Sequence, residues 1–229
     1  MKKLSIIIPV FNEKATVEEV IKRVVTAPTF QYRKEIIVVD DGSNDGTEKI
    51  LKSLRKKYNF VLLRHSKNSG KGAAIKTALK KVTGDFVLIQ DADLEYDPND
   101  YQVLLGAIDK NHPVVYGSRN LGNKNRGYLL YFWGGKFLTI FLNLLFGSKL
   151  TDITTGYKLF RTDILKNIKL KSNGFEFCEE VTAKILKSGY PIKEVPIHYY
   201  PRKFSEGKKI TLFDGIIALC TIIKYRIKD

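Results

Sequence analysis

Gly84-Asp-Phe-Val-Leu-Ile-Gln-Asp-Ala-Asp-Leu-Glu95 runs from an apolar segment straight into a cluster of carboxylates. Gly84 to Gln90, with its apolar centre Phe86 to Ile89, predicts a short strand buried on both faces. Asp91 and Asp93 follow at its end. Hard cations such as Mg2+ and Mn2+ take oxygen ligands, commonly one or two carboxylates plus substrate phosphates. Two Asp side chains one residue apart reach one ion only if the backbone turns, and Ala92 between them leaves room for a close ligand. A solvated turn or a helix cap uses the same residue types, and the stretch alone leaves both readings open.

Working outward, the same kind of strand recurs. Leu4 to Val10, Glu35 to Asp40, Phe60 to Arg64 and Pro113 to Gly117 are short and rich in β-branched residues. Segments with helical periodicity separate them: Thr16 to Val25, with Val17, Val20, Ile21 and Val24 on one face, then Thr47 to Lys57, Ala73 to Val82 and Asp100 to Asp109. This alternation predicts an α/β fold with a mostly parallel central sheet flanked by helices. In open sheets of this kind ligands sit beyond the carboxyl ends of the strands. Glu13, Asp40, Asp41, Asp91 and Asp93 all follow strand ends and are expected on one rim. Asp40 suits a ribose hydroxyl or a base N–H, whereas Asp41 and Ser43 also suit a turn and a helix cap.

The second half reads differently. Leu129 to Gly147 is an aromatic-rich apolar helix, too interrupted by Gly134, Gly135, Lys136 and Asn143 for a comfortable span, so an interfacial helix is expected. Gly156 to Phe160 and Pro191 to Ile197 predict strands, Glu179 to Ser188 a helix, and Thr211 to Lys228 a C-terminal amphipathic helix. Glu179 and Glu180 read as exposed helix positions. The whole chain, 1–229, is expected to form one domain, with residues 1–120 as one half and 121–229 as the other.

The chain has 229 residues, 44% hydrophobic and 28% charged, which suits a folded domain rather than disorder. The net charge of +15 fits an anionic partner or simply a lysine-rich background. No nucleic-acid motif accompanies it, so no nucleic-acid partner is expected. Cys178 and Cys220 have no metal-ligand spacing and read as buried thiols in a reducing compartment. His65, His112 and His198 read as structural. Asn68-Ser-Gly-Lys-Gly72 lacks the GxxxxGK[ST] spacing, so it predicts a tight turn into a helix rather than a phosphate loop. Met1-Lys2-Lys3 leads directly into a strand, which does not match a signal peptide.

Four motifs in order carry a resemblance: Ile6-Ile-Ile-Pro-Val-Phe-Asn-Glu13, Val38-Val-Asp-Asp-Gly-Ser43, Asn68 to Gly72 and Gln90-Asp-Ala-Asp-Leu-Glu95. Together they resemble the family 2 inverting glycosyltransferases of the GT-A fold. Tyr116-Gly-Ser-Arg119, Thr151-Asp152, Gly156-Tyr-Lys158, Arg202 and Glu206-Gly-Lys-Lys209 look like the branch of dolichyl- and polyprenyl-phosphate mannose and glucose synthases. That resemblance implies a nucleotide-sugar donor bound by Pro9, Phe11, Asn12, Glu13, Asp40, Asp91, Ala92 and Lys208. It implies Mg2+ or Mn2+ on Asp91 and Asp93, with Glu95, where relatives often carry Gln, as a third carboxylate able to ligate the metal. It also implies Arg119 and Arg126 on a polyprenyl phosphate acceptor, and Arg202 with the Lys208-Lys209 pair closing over the donor diphosphate. Asp93, Arg119 and Arg202 would be the catalytic set. Peripheral attachment to an anionic cytoplasmic membrane face, through Leu129 to Gly147 and the last helix, is expected from those helices and the basic surplus. A hydroxyl acceptor on a glycan or polyol is the alternative, with Glu179 or Glu180 as the base it would need.

Overall fold

The computed structural model describes residues 1–122, 128–202, 209 and 211–228. The strands are β1 (Lys3–Val10), β2 (Arg33–Asp40), β3 (Val61–Arg64), β4 (Phe86–Ile89), β5 (Val114–Ser118), β6 (Lys158–Arg161) and β7 (Ile192–Pro196). They form one sheet in the order β3-β2-β1-β4-β6-β5-β7. The helices are α1 (Val17–Thr26), α2 (Thr47–Lys57), α3 (Lys71–Leu79), α4 (Tyr101–Ala107), α5 (Leu129–Phe146), α6 (Thr162–Asn167), α7 (Phe177–Lys187) and α8 (Leu212–Ile227).

The expected α/β architecture is present. Strands β1, β2, β3 and β4 pair in parallel, and β5 pairs in parallel with β7. Only β6 runs against its neighbours β4 and β5. The apolar runs are buried on both faces because successive strand residues point to opposite sides. Thus Ile6 and Ile8 of β1 join one core with Val17, Val20, Ile21 and Val24 of α1. Ile7 joins the other, with Ala74 and Ile75 of α3 and Val181 of α7. Each of the four α1 side chains is buried and contributes about 1.5–3 kcal/mol.

A third, smaller cluster holds α5 to α8 through Leu138, Leu142, Ala218 and Ile222. The amphipathic C-terminal helix is present and begins with a capping box, Thr211 Oγ1 accepting from Asp214 N and the Asp214 carboxylate accepting from Thr211 N.

Three expectations change. Helix α3 starts at Lys71 rather than Ala73, because Gly70, at φ 98°, makes the turn and lets the helix begin at once. Helix α7 is buried almost all round, nine of its eleven residues, so Glu179 and Glu180 are not exposed. It lies between the sheet and α8, which leaves no solvent face for them. Cys178 is buried as expected, whereas Cys220 of α8 is exposed.

Candidate active site

Because β1, β2 and β4 are parallel and in register, their carboxyl ends share one edge of the sheet. A cavity of about 830 Å³ opens there. Pro9, Phe11, Glu13, Asp41, Asp91, Ala92, Asp93, Glu95 and Arg119 line it from the first half, and Asp152, Arg202 and Lys209 from the second. The expectation of one acidic rim is met, with Asp41 rather than Asp40 facing the cavity. Asp40 is fully buried, accepts from Ser43 N at 3.0 Å and pairs with Arg64 at 3.3 Å. Asn12 lies outside the lining. It uses its backbone N–H on Ser43 Oγ and its side-chain oxygen on Asn44 N, tying the first two strand ends together. Arg126 and Lys208 lie outside the described residues.

The carboxylate cluster is shaped from below. Gln90 Nε2 donates to the Asp91 carbonyl at 2.8 Å, and the hydroxyls of Tyr101 and Tyr157 both donate to Gln90 Oε1. The backbone then turns at Leu94, which has φ 63°, a conformation that an L side chain adopts at a cost of about 1–2 kcal/mol. That turn leads the chain from the Asp91–Asp93 pair into Glu95. Gly156 completes the floor, since any Cβ there would overlap Asp91 Oδ2.

Each acid of the cluster faces a base. Asp91 pairs with Lys71, and Asp93 pairs with Arg202 at 3.3 Å. Glu13 pairs with Arg202 at 3.1 Å and with Lys209 at 2.7 Å. Burial, followed by the charges of Asp91 and Glu95, holds the Asp93 carboxyl well above the usual carboxylate range. Hard oxygen donors and crowded negative charge are what a divalent cation relieves, so Asp91 and Asp93 fit one. Among the described residues no three His, Cys, Asp or Glu side chains converge as a ready ligand set. Two carboxylates completed by substrate phosphates are a common arrangement for Mg2+.

Glu95 is engaged otherwise. Its carboxylate accepts from the Tyr199 hydroxyl at 2.9 Å and from Arg202 N at 2.8 Å. It therefore anchors the segment that follows β7, and with it the Arg202 side chain. Tyr199 in turn lies under the Arg119 guanidinium, 5.2 Å from ring to Cζ. Arg119 makes a bidentate pair with Asp152, Nε to Oδ2 and Nη2 to Oδ1, both 2.7 Å. Burial works against ionisation of Asp152, but Arg119 outweighs it and holds the carboxyl below its usual range.

Sequence reasoning missed Lys71 here, and it left Asp41 and Glu179 with alternative structural readings. Lys71 was read as part of a turn, yet it is the partner of Asp91, and a lysine set between two glycines at a helix start was its only sequence signal. Asp41, read as a turn residue, accepts from Ser69 N at 2.9 Å and Gly70 N at 2.7 Å and so fixes that turn against the second strand. Glu179 is buried in the first turn of α7 and lines the cavity, and burial pushes its carboxyl up to about 7.

A model of Glycosyl transferase family 2 matches residues 5–169, most of the chain. The chain belongs to that family and is a glycosyltransferase. It is 30% identical to a dolichol-phosphate mannosyltransferase of Pyrococcus furiosus, over 97% of this chain and 64% of that one. It is 29% identical to the low-salt glycan biosynthesis hexosyltransferase Agl6 of Haloferax volcanii, over 87% of this chain and 48% of that one. The chain thus spans about half to two thirds of the length of these relatives. A crystal structure of glucosyl-3-phosphoglycerate synthase from Mycobacterium tuberculosis, in complex with Mn2+, UDP and phosphoglyceric acid, superposes with a TM-score of 0.76. That match covers 98% of this chain and 78% of that one at 18% identity. It bears out the GT-A fold, and the relatives bear out the likeness to dolichyl-phosphate sugar transferases.

Proposed function

We propose that this glycosyltransferase moves a hexosyl group, with inversion, from a nucleotide sugar to a polyprenyl phosphate at a membrane surface. The observation that carries this reading is the shape of the cavity. Its lining joins Asp91, Asp93 and Arg119 to the exposed Phe137 of α5 and the exposed Leu212 and Ile216 of α8. A polar phosphate site that opens through an apolar passage suits an acceptor with a charged head and a hydrocarbon tail. The mannosyltransferase relative supports the same acceptor class.

The chemistry asks little proton transfer of the protein. A phosphate monoester has a second pKa of about 6 and is already anionic at neutral pH. What is needed is alignment at the anomeric carbon and neutralisation of the departing nucleoside diphosphate. Asp91 and Asp93 would hold Mg2+ or Mn2+, which supplies positive charge to the diphosphate. Arg202 and Lys209 face the same point, and Arg119 orients the acceptor phosphate. Pro9, Phe11 and Glu13 line the end of the cavity assigned to the nucleoside. Helix α5 is long and apolar enough to cross a membrane by length and composition, with only 17% of it buried. We assign it instead to a peripheral position on an anionic cytoplasmic membrane face, where each nearby Lys or Arg adds roughly 1 kcal/mol.

Incubation with UDP- or GDP-hexoses, Mn2+ and polyprenyl phosphate tests this reading, and a lipid-extractable sugar phosphate is expected. Transfer to soluble acceptors only, never to the lipid phosphate, overturns it. One observation favours a second reading, a hydroxyl acceptor. Glu179 is a cavity-lining carboxylate raised to about 7, a value suited to a general base. Glu180 is not such a base, because Lys184 and the amides of Lys171 and Ser172 occupy it. Loss of all transfer in Glu179→Gln, combined with a soluble acceptor, would establish the second reading.

A further inference from the structure

Arg119 is held by more than its own partner. Asp152, which grips it, sits on the loop between α5 and β6, and that loop is fastened from β7. Glu194 Oε2 accepts from Thr151 N at 2.7 Å and Thr151 Oγ1 at 2.9 Å, and Glu194 Oε1 accepts from Asp152 N at 2.9 Å. Thr151 is also bolted to both chain neighbours of Arg119. Its hydroxyl meets Ser118 Oγ at 2.6 Å, and its carbonyl accepts from Asn120 Nδ2 at 2.6 Å. Asp152 closes the unit by accepting from Arg119 N at 3.1 Å, while Thr154 Oγ1 accepts from Arg119 Nη2 at 2.6 Å. Glu194 pairs across the sheet with Tyr116 of β5, two residues before β5 ends at Ser118. It does not line the cavity and so does not touch what binds there.

We infer that Glu194 is a positioning residue for acceptor binding: through Thr151 and Asp152 it fixes the orientation of the Arg119 guanidinium toward the acceptor phosphate. The physical reason is rigidity. A long arginine side chain has many rotamers, and ordering it on binding weakens affinity unless the order exists beforehand. A carboxylate that accepts three hydrogen bonds from one loop supplies that order. Only a carboxylate serves, because a glutamine of the same shape would present an NH2 to backbone and hydroxyl donors. The inference rests on the assignment of Arg119 to the acceptor phosphate.

The test uses the full chain in detergent, with farnesyl phosphate as acceptor probe and UDP or GDP with Mn2+ as donor probe. Glu194→Gln is expected to weaken farnesyl phosphate binding about tenfold or more, with donor-probe affinity unchanged and acceptor KM raised more than kcat falls. Thr151→Val, which keeps size but removes the hydroxyl, is expected to move acceptor affinity the same way by a smaller factor. It decides the matter should Glu194→Gln fail to fold. Parent-like acceptor affinity in both variants, or an equal loss of donor and acceptor binding, overturns the inference. Arg119→Ala separates the two levels: if it binds farnesyl phosphate as the parent does, the acceptor assignment falls and the inference with it. If it loses that binding while the Glu194 and Thr151 variants keep it, only the inference falls.

Discussion

Helices α1 and α5 each carry a row of large apolar side chains and use them in opposite ways. In α1 the residues Val17, Val20, Ile21 and Val24 are at most 2% exposed. In α5, Trp133 is 60% exposed, Phe137 57% and Leu144 79%. Leu212, Phe213 and Ile216 at the start of α8 are exposed beside them. The first half of the chain buries its apolar surface to hold carboxylates at strand ends. The second half leaves much of its own uncovered, next to the mouth of the same cavity. A contiguous exposed patch of this kind marks an interaction surface rather than core. Under the function proposed above, the carboxylate cluster orders the donor chemistry and the exposed apolar helices face the membrane that carries the acceptor.

The largest effect that would break this division is at the carboxylate cluster. Asp93→Ala should lower turnover about 10³-fold while leaving vesicle binding at the parent level, as read by single-turnover assay and co-sedimentation. Full activity would show that the cluster holds no metal and no diphosphate. Next, Gly156→Ala should cut kcat by about 10²-fold, because the new methyl displaces the Asp91 carboxylate by a fraction of its length. The fold should survive, since Gly156 has an ordinary φ, and circular dichroism would verify that.

The comparison of helices is sharpened by matched substitutions. Ile21→Ala in α1 should lower unfolding free energy by about 2–5 kcal/mol in urea titration, through the cavity it leaves. Trp133→Ser with Phe137→Ser in α5 should leave that stability nearly unchanged. The pair should instead lower binding to anionic vesicles about tenfold or more, since each large side chain contributes about 1.5–3 kcal/mol when buried. A stability loss like that of Ile21→Ala would mean that α5 is core after all.

The smallest expected effect lies at the opposite end of the sheet. Burial alone would raise the Glu35 carboxyl, but Lys3, Ser5 and Thr83 hydrogen-bond it and bring it down to about 2, from an ordinary value of 4.5. Its folded-state value is thus depressed. Its contribution to stability is present above pH 4.5 and is lost as pH falls toward 2. Glu35→Gln should flatten that part of the stability profile without altering turnover at neutral pH. A parent profile equally flat between pH 5 and 2 would show that the contacts contribute nothing.

Much of the first half was legible because local pattern and tertiary role agree there. The runs at Ile6–Val10, Ile36–Val39 and Phe86–Ile89 are apolar without alternation, and the strands they form are covered on both faces. The second half was less legible because burial there depends on neighbours distant in sequence. Glu180 and Lys184 have the spacing of an exposed helix pair, but α7 lies under α8, so the pair is buried. Cys220 sits in an apolar pattern, but its position on α8 is exposed.

The acidic cluster at Asp91 and Asp93 shows the same limit more finely. The sequence by itself determined that an apolar strand ends in two carboxylates, that other acids end neighbouring strands, and that the fold is a parallel α/β sheet. Strand periodicity and β-branched composition are local properties, and they carry that much. Only the tertiary structure decided which acids meet: Asp41 turned to the cavity and Asp40 away, Glu95 used as an anchor, Lys71 set against Asp91, and Glu194 placed behind Arg119. Those outcomes depend on strand order and register, which bring together residues 196 positions apart, such as Glu13 and Lys209. No local pattern encodes a contact at that separation, because the energy that fixes it comes from packing the whole sheet.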